Sequence, residues 1–325
     1  QRRRHRAADE LADAVVGLTV PHHDTLQEIV HRIIPDAKLV SSWALEGGSS
    51  ADMTAVEIAL AQGGTERLIV RQCGDANLAA DPDVAEHEAR LLNILADRGL
   101  AVPRAPHVDQ SCALLPKPFL VIDFLDGEPD YDPTDPMSAA LQTAAFMAQL
   151  HGLDSDANDL AFVPRHHGPP GYLTSRRDEL PESFHAAHAL LEERWPPSNK
   201  NPPVLLHGDF WPGNLLWQKG RLSAVVDWED TAIGDPLADL AIARGDMSWG
   251  FGWEAMEAFT ERYADLTGFD LTALPLWDLR AVLRQAPHAA DYAEGWQELG
   301  RADITETMIH NTHTRLIDTA MAALD

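Results

Sequence analysis

The sequence predicts an α+β protein of two lobes. A five-stranded antiparallel lobe with one helix spans 23–125, and a mostly helical lobe spans 126–325, behind an N-terminal extension or helix at 1–22. Three observations carry this. Before residue 127 the apolar residues alternate or fall in short runs cut by Gly63-Gly64 and Asp126-Gly127, as strands and turns require. From about residue 135 they recur at helical spacing. Between the two helical stretches, the apolar runs 204–206 and 222–226 each lead into an acidic residue.

Composition narrows the choice of partner. The 325 residues suffice for one large or two ordinary domains, and 45% apolar content is normal for a globular core. There are 25 basic and 51 acidic residues, a formal charge of −26. That surplus argues against a nucleic-acid or anionic-membrane partner, which need basic patches. It suits cationic ligands, although excess acid also simply confers solubility. Cys73 and Cys112 cannot form a disulfide framework or a cysteine zinc site, and a reducing cytoplasm is the simple expectation. No apolar run approaches the roughly 20 residues that span a bilayer. Arg2-Arg3-Arg4 is basic, but Asp9, Glu10 and Asp13 leave no signal-peptide apolar region. Residue 1 is Gln, so the natural start is expected elsewhere.

In order along the chain, 7–19 reads as a short helix. Thr25 with Glu28 reads as a capping box, followed by Leu26, Ile29, Val30 and Ile33 on one helical face. Residues 39–72 form a three-stranded meander with a Gly-Ser turn, Gly47-Gly48-Ser49-Ser50, between its first two strands. Asp81-Pro82 opens a helix whose face carries Glu88, Leu91, Leu92 and Leu95. Val102-Pro103 and 118–125 supply two more strands. Helix follows over 135–151, loop over 154–172, helix over 174–194, and a proline-rich spacer over 196–203. Beyond residue 240 helices are expected at 251–266, 274–299 and 301–323, after one begun at Asp235-Pro236.

The chemistry concentrates in 204–240. Asp209 and Asn214 lie five residues apart on one loop, and a short ribbon, 214–217 with 222–226, joins Asn214 to Asp227. One amide and one carboxylate at a common mouth suit a hard cation such as magnesium, which shares oxygen ligands with phosphates. Asp209 is then left to orient a hydroxyl. This wording, His207-Gly208-Asp209, then Asn214, then Asp227-Trp228-Glu229, resembles the aminoglycoside phosphotransferase and choline kinase-like family of small-molecule kinases, from about residue 24 onward.

The resemblance implies a bilobal protein-kinase-like fold and an ATP-dependent (or GTP-dependent) O-phosphotransferase. Asp209 would be the catalytic base, with Asn214 and Asp227 holding Mg2+. Gly47, Gly48, Ser49 and Ser50 stand where kinases carry their glycine loop. Arg71 stands where they carry the phosphate-binding lysine, a departure that a bidentate guanidinium accommodates. Glu88 is its expected partner, with Glu86 second. The carbonyl of Asp123 and the amide of Leu125 would read the adenine. His207 is expected to hold the loop rather than catalyse, and His151, Asp235 and Asp239 to hold the helical lobe. The acceptor is a small hydroxylated molecule. Acids after Asp227, namely Glu229, Asp230, Asp246, Asp291, Glu294 and Glu298, with Trp249 and Trp253, are candidate lining groups, and their charge favours a cationic, aminoglycoside-like acceptor. A neutral sugar, macrolide or metabolite is the alternative. A nucleotide-binding pseudokinase is the alternative of another class.

Overall fold

The structure is a computed structural model that describes residues 20–45, 51–165, 177–198 and 201–325. The helix expected at 7–19 and the Gly47–Ser50 turn lie outside the described residues. The chain divides into two compact units, one ending at Leu125 and one running from Asp126 to Asp325.

In the first unit, helix α1 (His23–Ile33) lays Leu26, Ile29 and Val30 onto a sheet face made by Leu39, Val56, Ile58, Leu68, Val70, Phe119 and Val121. Burying each such side chain contributes roughly 1.5–3 kcal/mol. The helix begins two residues before the expected capping box, because the His22 ring, through Nδ1, and not Thr25, accepts from the Asp24 amide (3.4 Å). Strands β1 (Lys38–Ala44), β2 (Ala51–Ala59), β3 (Thr65–Cys73), β4 (His107–Asp109) and β5 (Phe119–Asp123) form one antiparallel sheet in the order β1-β2-β3-β5-β4. The fourth strand is therefore 107–109 and not Val102-Pro103. Around that dipeptide the backbone is engaged elsewhere: Ala105 exchanges two hydrogen bonds with the Asn93 side chain, and the Arg104 amide donates to the Asp123 carboxylate (3.1 Å).

A short helix α2 (Asp75–Ala80), not foreseen in the sequence, precedes α3 (Val84–Asp97). Asp81 caps the end of α2, and its carboxylate accepts from the Asp83 amide (3.0 Å), so Asp81-Pro82 makes the turn between helices rather than starting one. Helix α3 turns Glu88, Leu91, Leu92 and Leu95 inward.

The second unit opens on strand β6 (Glu128–Pro129) and helix α4 (Pro136–His151), which Asp135 caps through the Ser138 amide (2.9 Å). Among the described residues of the helix expected over 174–194, helix α5 covers only His185–Arg194, preceded by two short helical turns at Arg177–Glu179 and Glu182–Phe184. Strand β7 (Val204–Leu206) pairs with β10 (Ala232–Gly234), a strand the sequence reading missed. Strands β8 (Leu215–Gln218) and β9 (Arg221–Val225) form the expected hairpin, edged by β6. Helices α6 (Leu237–Gly250), α7 (Trp253–Thr267), α8 (Leu274–Gln285), α9 (Ala289–Glu298) and α10 (Glu306–Leu324) complete the unit. The single helix expected over 274–299 is broken at Ala286–His288, where Pro287 has no amide to donate. The buried fork of Arg244 (α6) on Asp278 (α8), at 3.0 Å through both Nε and Nη2, ties two of these helices together. Among the described residues, no helix is long and apolar enough to cross a membrane.

Candidate active site

Two strand ladders bring the catalytic stretch together. In the first, Leu206 pairs with Ala232 at the end of β7/β10, so 207–209 and 227–231 leave the ladder side by side. Gly208 fixes their approach. It has φ +88°, and a Cβ there would stand 2.3 Å from the Asp230 carbonyl oxygen. Any other residue would meet both strain and collision. In the second ladder, Leu215 pairs with Val225, and the Val226 amide donates to the Asn214 carbonyl (3.0 Å). Asn214 and Asp227 therefore sit at the same open end of the hairpin. Asp227 itself takes a left-handed conformation, φ 64°, at the strand end.

Within this mouth, Asn214 Nδ2 donates to the carbonyl of Asp209 (2.9 Å) and to its carboxylate (3.3 Å). The amide is thereby oriented with its nitrogen toward Asp209 and its oxygen away. Asp209 is half-buried, Asn214 is buried and Asp227 is exposed.

A buried network supports the loop from behind. The Asp239 carboxylate, fully buried at the start of α6, accepts from the amides of His207 (2.7 Å) and Gly208 (2.9 Å) and contacts His151 Nε2 (3.2 Å). Burial works to raise its pKa, but the hydrogen bonds from His151 and Gly208 outweigh that and hold it below the usual carboxylate range. His151 Nδ1 in turn meets the Tyr263 hydroxyl (2.6 Å), whose pKa burial pushes up. His207 is fully buried. Its Nδ1 accepts from the Asp209 amide (3.3 Å), so the ring proton is on Nε2, shared with the Val226 carbonyl (3.0 Å). Burial lowers its pKa despite the nearby Asp239 and Asp209. A neutral imidazole bonded at both nitrogens clamps the 207–209 loop to the end of β9, and neither nitrogen is turned to a substrate.

In the first unit, Arg71 lies on β3 between Met53 and Leu120, and its Nη1 meets the Glu88 carboxylate at 2.6 Å, both groups buried. Glu86 is exposed on another face of α3. Asp123 ends β5, clasped to Arg104 through its amide (2.9 Å) and carboxylate, and half-buried Leu125 closes the unit. Replacing Arg71 by Ala would leave Glu88 buried without this cation, a loss of about 3–5 kcal/mol for a broken buried pair. We expect Arg71→Ala to lower both melting temperature and nucleotide affinity. Arg71→Lys should retain much of each, lacking only the planar fork. Isothermal titration with ATP checks this, and equal affinity in Ala and wild type would take Arg71 off the phosphates.

The proposed lining acids are not gathered in one place. Half-buried Glu229 and exposed Asp230 follow Asp227 directly. Asp246 is buried, accepting from Gln285 Nε2 (3.2 Å). Trp249, 1% exposed, packs against Tyr292 and His313 and belongs to the interior, a correction to its reading as a lining group. Trp253 donates to Glu257 (2.6 Å), and its ring is covered by Arg315. On α9 the buried face carries Ala289, Ala293 and Trp296, whereas exposed Glu294 and Glu298 stand two residues to either side of Trp296 and Asp291 is exposed as well. Two residues along a helix is roughly 160° round after the shorter turn, so these acids face away from what Trp296 packs against. Unforeseen in the sequence were Tyr263, and an aromatic group of Tyr131, Trp211 and Trp296. Of these only Trp211, inside the catalytic loop, carried a local signal.

An antiparallel five-stranded unit holding a buried Arg–Glu pair, followed by a helical unit holding an Asp-Asn-Asp mouth, is the architecture of the protein-kinase-like fold. The family model for the phosphotransferase enzyme family matches residues 44–298, and the chain belongs to that family. It is 26% identical over 194 residues to mouse acyl-CoA dehydrogenase family member 10, a match covering 54% of this chain but 18% of that protein. It is 28% identical over 214 residues to homoserine kinase of Sinorhizobium fredii, covering 60% of this chain and 64% of that one. The chain thus spans less than two thirds of these relatives. Among solved structures, macrolide 2'-phosphotransferase MphH from Brachybacterium faecium superposes with TM-score 0.56 at 21% identity, covering 90% of this chain and 98% of that one.

Proposed function

We propose that this chain transfers the γ-phosphate of ATP to a hydroxyl of a small molecule. The observation that carries the reading is the meeting of Asp209, Asn214 and Asp227 at the open ends of two strand ladders, with Asn214 bonded to Asp209. Asp209 orients the acceptor hydroxyl and takes its proton as the phosphoryl group transfers. The Asn214 amide oxygen and the Asp227 carboxylate are hard donors on one hairpin end, a set that fits Mg2+ with phosphate oxygens completing its shell. When bound, magnesium would neutralise charge on the phosphates. Arg71, braced by Glu88, anchors the α- and β-phosphates, and the backbone of Asp123 and Leu125 takes the adenine. The same phosphate contacts would serve GTP. With Cys73 buried and Cys112 exposed, a reducing cytoplasm is the simple expectation.

Asp227→Asn should weaken nucleotide binding in the presence of magnesium by at least tenfold, and metal-free binding far less, because the lost charge faces the cation. Titration with and without magnesium measures this. Equal losses would make Asp227 structural. Asn214→Ala should follow the same pattern more mildly.

The homoserine kinase relative supports a small hydroxylated acceptor. A neutral acceptor fits the geometry better than a cationic one, since Asp291, Glu294 and Glu298 are on the outward side of α9. The cationic, aminoglycoside-like reading, with its role in antibiotic resistance, rests on Glu229 and Asp230 beside Asp227. It requires that kcat/KM for such a substrate fall steeply with salt, because exposed charges are screened over about 8–10 Å at physiological ionic strength. A coupled ATP-consumption screen over aminoglycosides, macrolides, sugars and hydroxylated amino acids, repeated at two salt concentrations, decides among them. ATP binding with no Asp209-dependent consumption for any acceptor would favour a pseudokinase.

A further inference from the structure

The catalytic loop carries an aromatic corner that the transfer chemistry does not use. Trp211 is two residues beyond Asp209, its amide donating to the Asp209 carbonyl (3.1 Å). Its ring centroid is 6.1 Å from those of both Tyr131 and Trp296, and Tyr131 is 5.9 Å from Trp296. Trp296 is nearly buried at 4% exposure, while Trp211 and Tyr131 keep part of their surface open.

Two glycines make room for these indoles. A Cβ on Gly213 would stand 2.1 Å from the Trp211 ring, and one on Gly250 would stand 2.8 Å from the Trp296 ring. One arginine holds the corner in shape. Arg301 Nη1 donates to the carbonyls of Tyr131 and of Gly250 (2.8 Å), while its Nε and Nη2 fork onto Asp303 (2.9 and 2.8 Å). A rigid, half-open aromatic surface on the loop that carries the base is suited to an apolar face of a ligand.

Resting on the phosphotransferase reading above, we infer that the acceptor is recognised by an apolar face laid against the open parts of Tyr131 and Trp211, which buried Trp296 backs, with its hydroxyl presented to Asp209. The acceptor class is an alcohol carrying an apolar body, not a polycation. Specificity then comes from apolar contact area, and Arg301 is a positioning residue that keeps Tyr131 in place.

The test uses the full chain with magnesium-ATP and primary alcohols from ethanol to octanol as acceptors. Each methylene buried in the transition state contributes about 0.8 kcal/mol, close to fourfold in rate. In the wild type, kcat/KM should climb about two- to fourfold per methylene until the corner is filled. In Trp211→Ser and in Tyr131→Ser that rise should fall to less than half as steep. The readout is the octanol-to-ethanol ratio within each protein, so a general loss of activity cancels, and circular dichroism melting confirms that each variant is folded. Arg301→Lys should raise KM for octanol severalfold more than it lowers kcat. A flat series in the wild type, no alcohol phosphorylated, or an unchanged slope in both serine variants overturns the inference. Asp209-dependent ATP hydrolysis in the same samples separates this from failure of the phosphotransferase reading, in which that hydrolysis is missing too.

Discussion

Asp209→Ala should reduce phosphoryl transfer by two to four orders of magnitude while ATP affinity and melting temperature stay near wild type. The magnitude is what a positioned general base contributes. Selectivity follows from the geometry. Of the two bonds from Asn214 Nδ2, the longer goes to the Asp209 side chain (3.3 Å) and the shorter to the backbone carbonyl, which the substitution keeps. The loop is held through other groups, chiefly His207 and the two amides bonded to Asp239. Single-turnover transfer from radiolabelled ATP measures the loss, and nucleotide titration the retained affinity. Transfer within tenfold of wild type would remove Asp209 from the role of base.

Asp239→Ala should be the most destabilising single change in this site. It deletes a carboxylate that is fully buried and that accepts from His207, Gly208 and His151. Breaking a buried charged contact of this kind costs about 3–5 kcal/mol, against a total stability of roughly 5–15 kcal/mol. For a unit of this size that is a fall in melting temperature on the order of 10 °C. Activity should fall with it, because Gly208 and Asp209 lose the anchor that sets their approach to Asp230. The pH dependence has a definite sign. The folded pKa of Asp239 lies below its unfolded value of about 3.9. Its contribution is therefore fully present above that value and is lost as pH falls toward the folded pKa. The melting-temperature gap between wild type and Asp239→Ala should be constant from pH 5 to 8 and shrink below about pH 4. A gap under about 2 °C at neutral pH would show that the network is not what holds the loop.

The three-stranded meander of the first unit and the spacing of Asp209, Asn214 and Asp227 were legible in the sequence, because both are local, whereas the fourth strand was misplaced. Alternation at Val56 and Ile58 reports a half-buried strand, and Asp209, Asn214 and Asp227 are joined by a loop and a hairpin too short to let them separate. Short elements were not legible. Strands β6 and β10 hold two and three residues, with no period to detect, and exist only because β8 and β7 offer them backbone partners. The start of α3 was misplaced because Asp81-Pro82 is an equally good turn, and only α2, ending at Asp81, decides between the two uses. The acceptor region was legible least. Counting acids after Asp227 points to a cationic pocket, but side-chain direction on a helix depends on which face is buried, and that is set by partners far along the chain.

The sequence by itself therefore determined the fold class, the family and the convergence of Asp209, Asn214 and Asp227. The pairing of Arg71 with Glu88 rather than Glu86 was already expected from the sequence, whereas tertiary structure alone decided two other long-range joins: Asp239 behind Gly208, and Tyr131 with Trp296 around Trp211. The reason is physical. Hydrogen-bond donors, carboxylates and rings are specified residue by residue, but what each one meets is selected by burial, which couples positions 17, 31 and up to 165 residues apart.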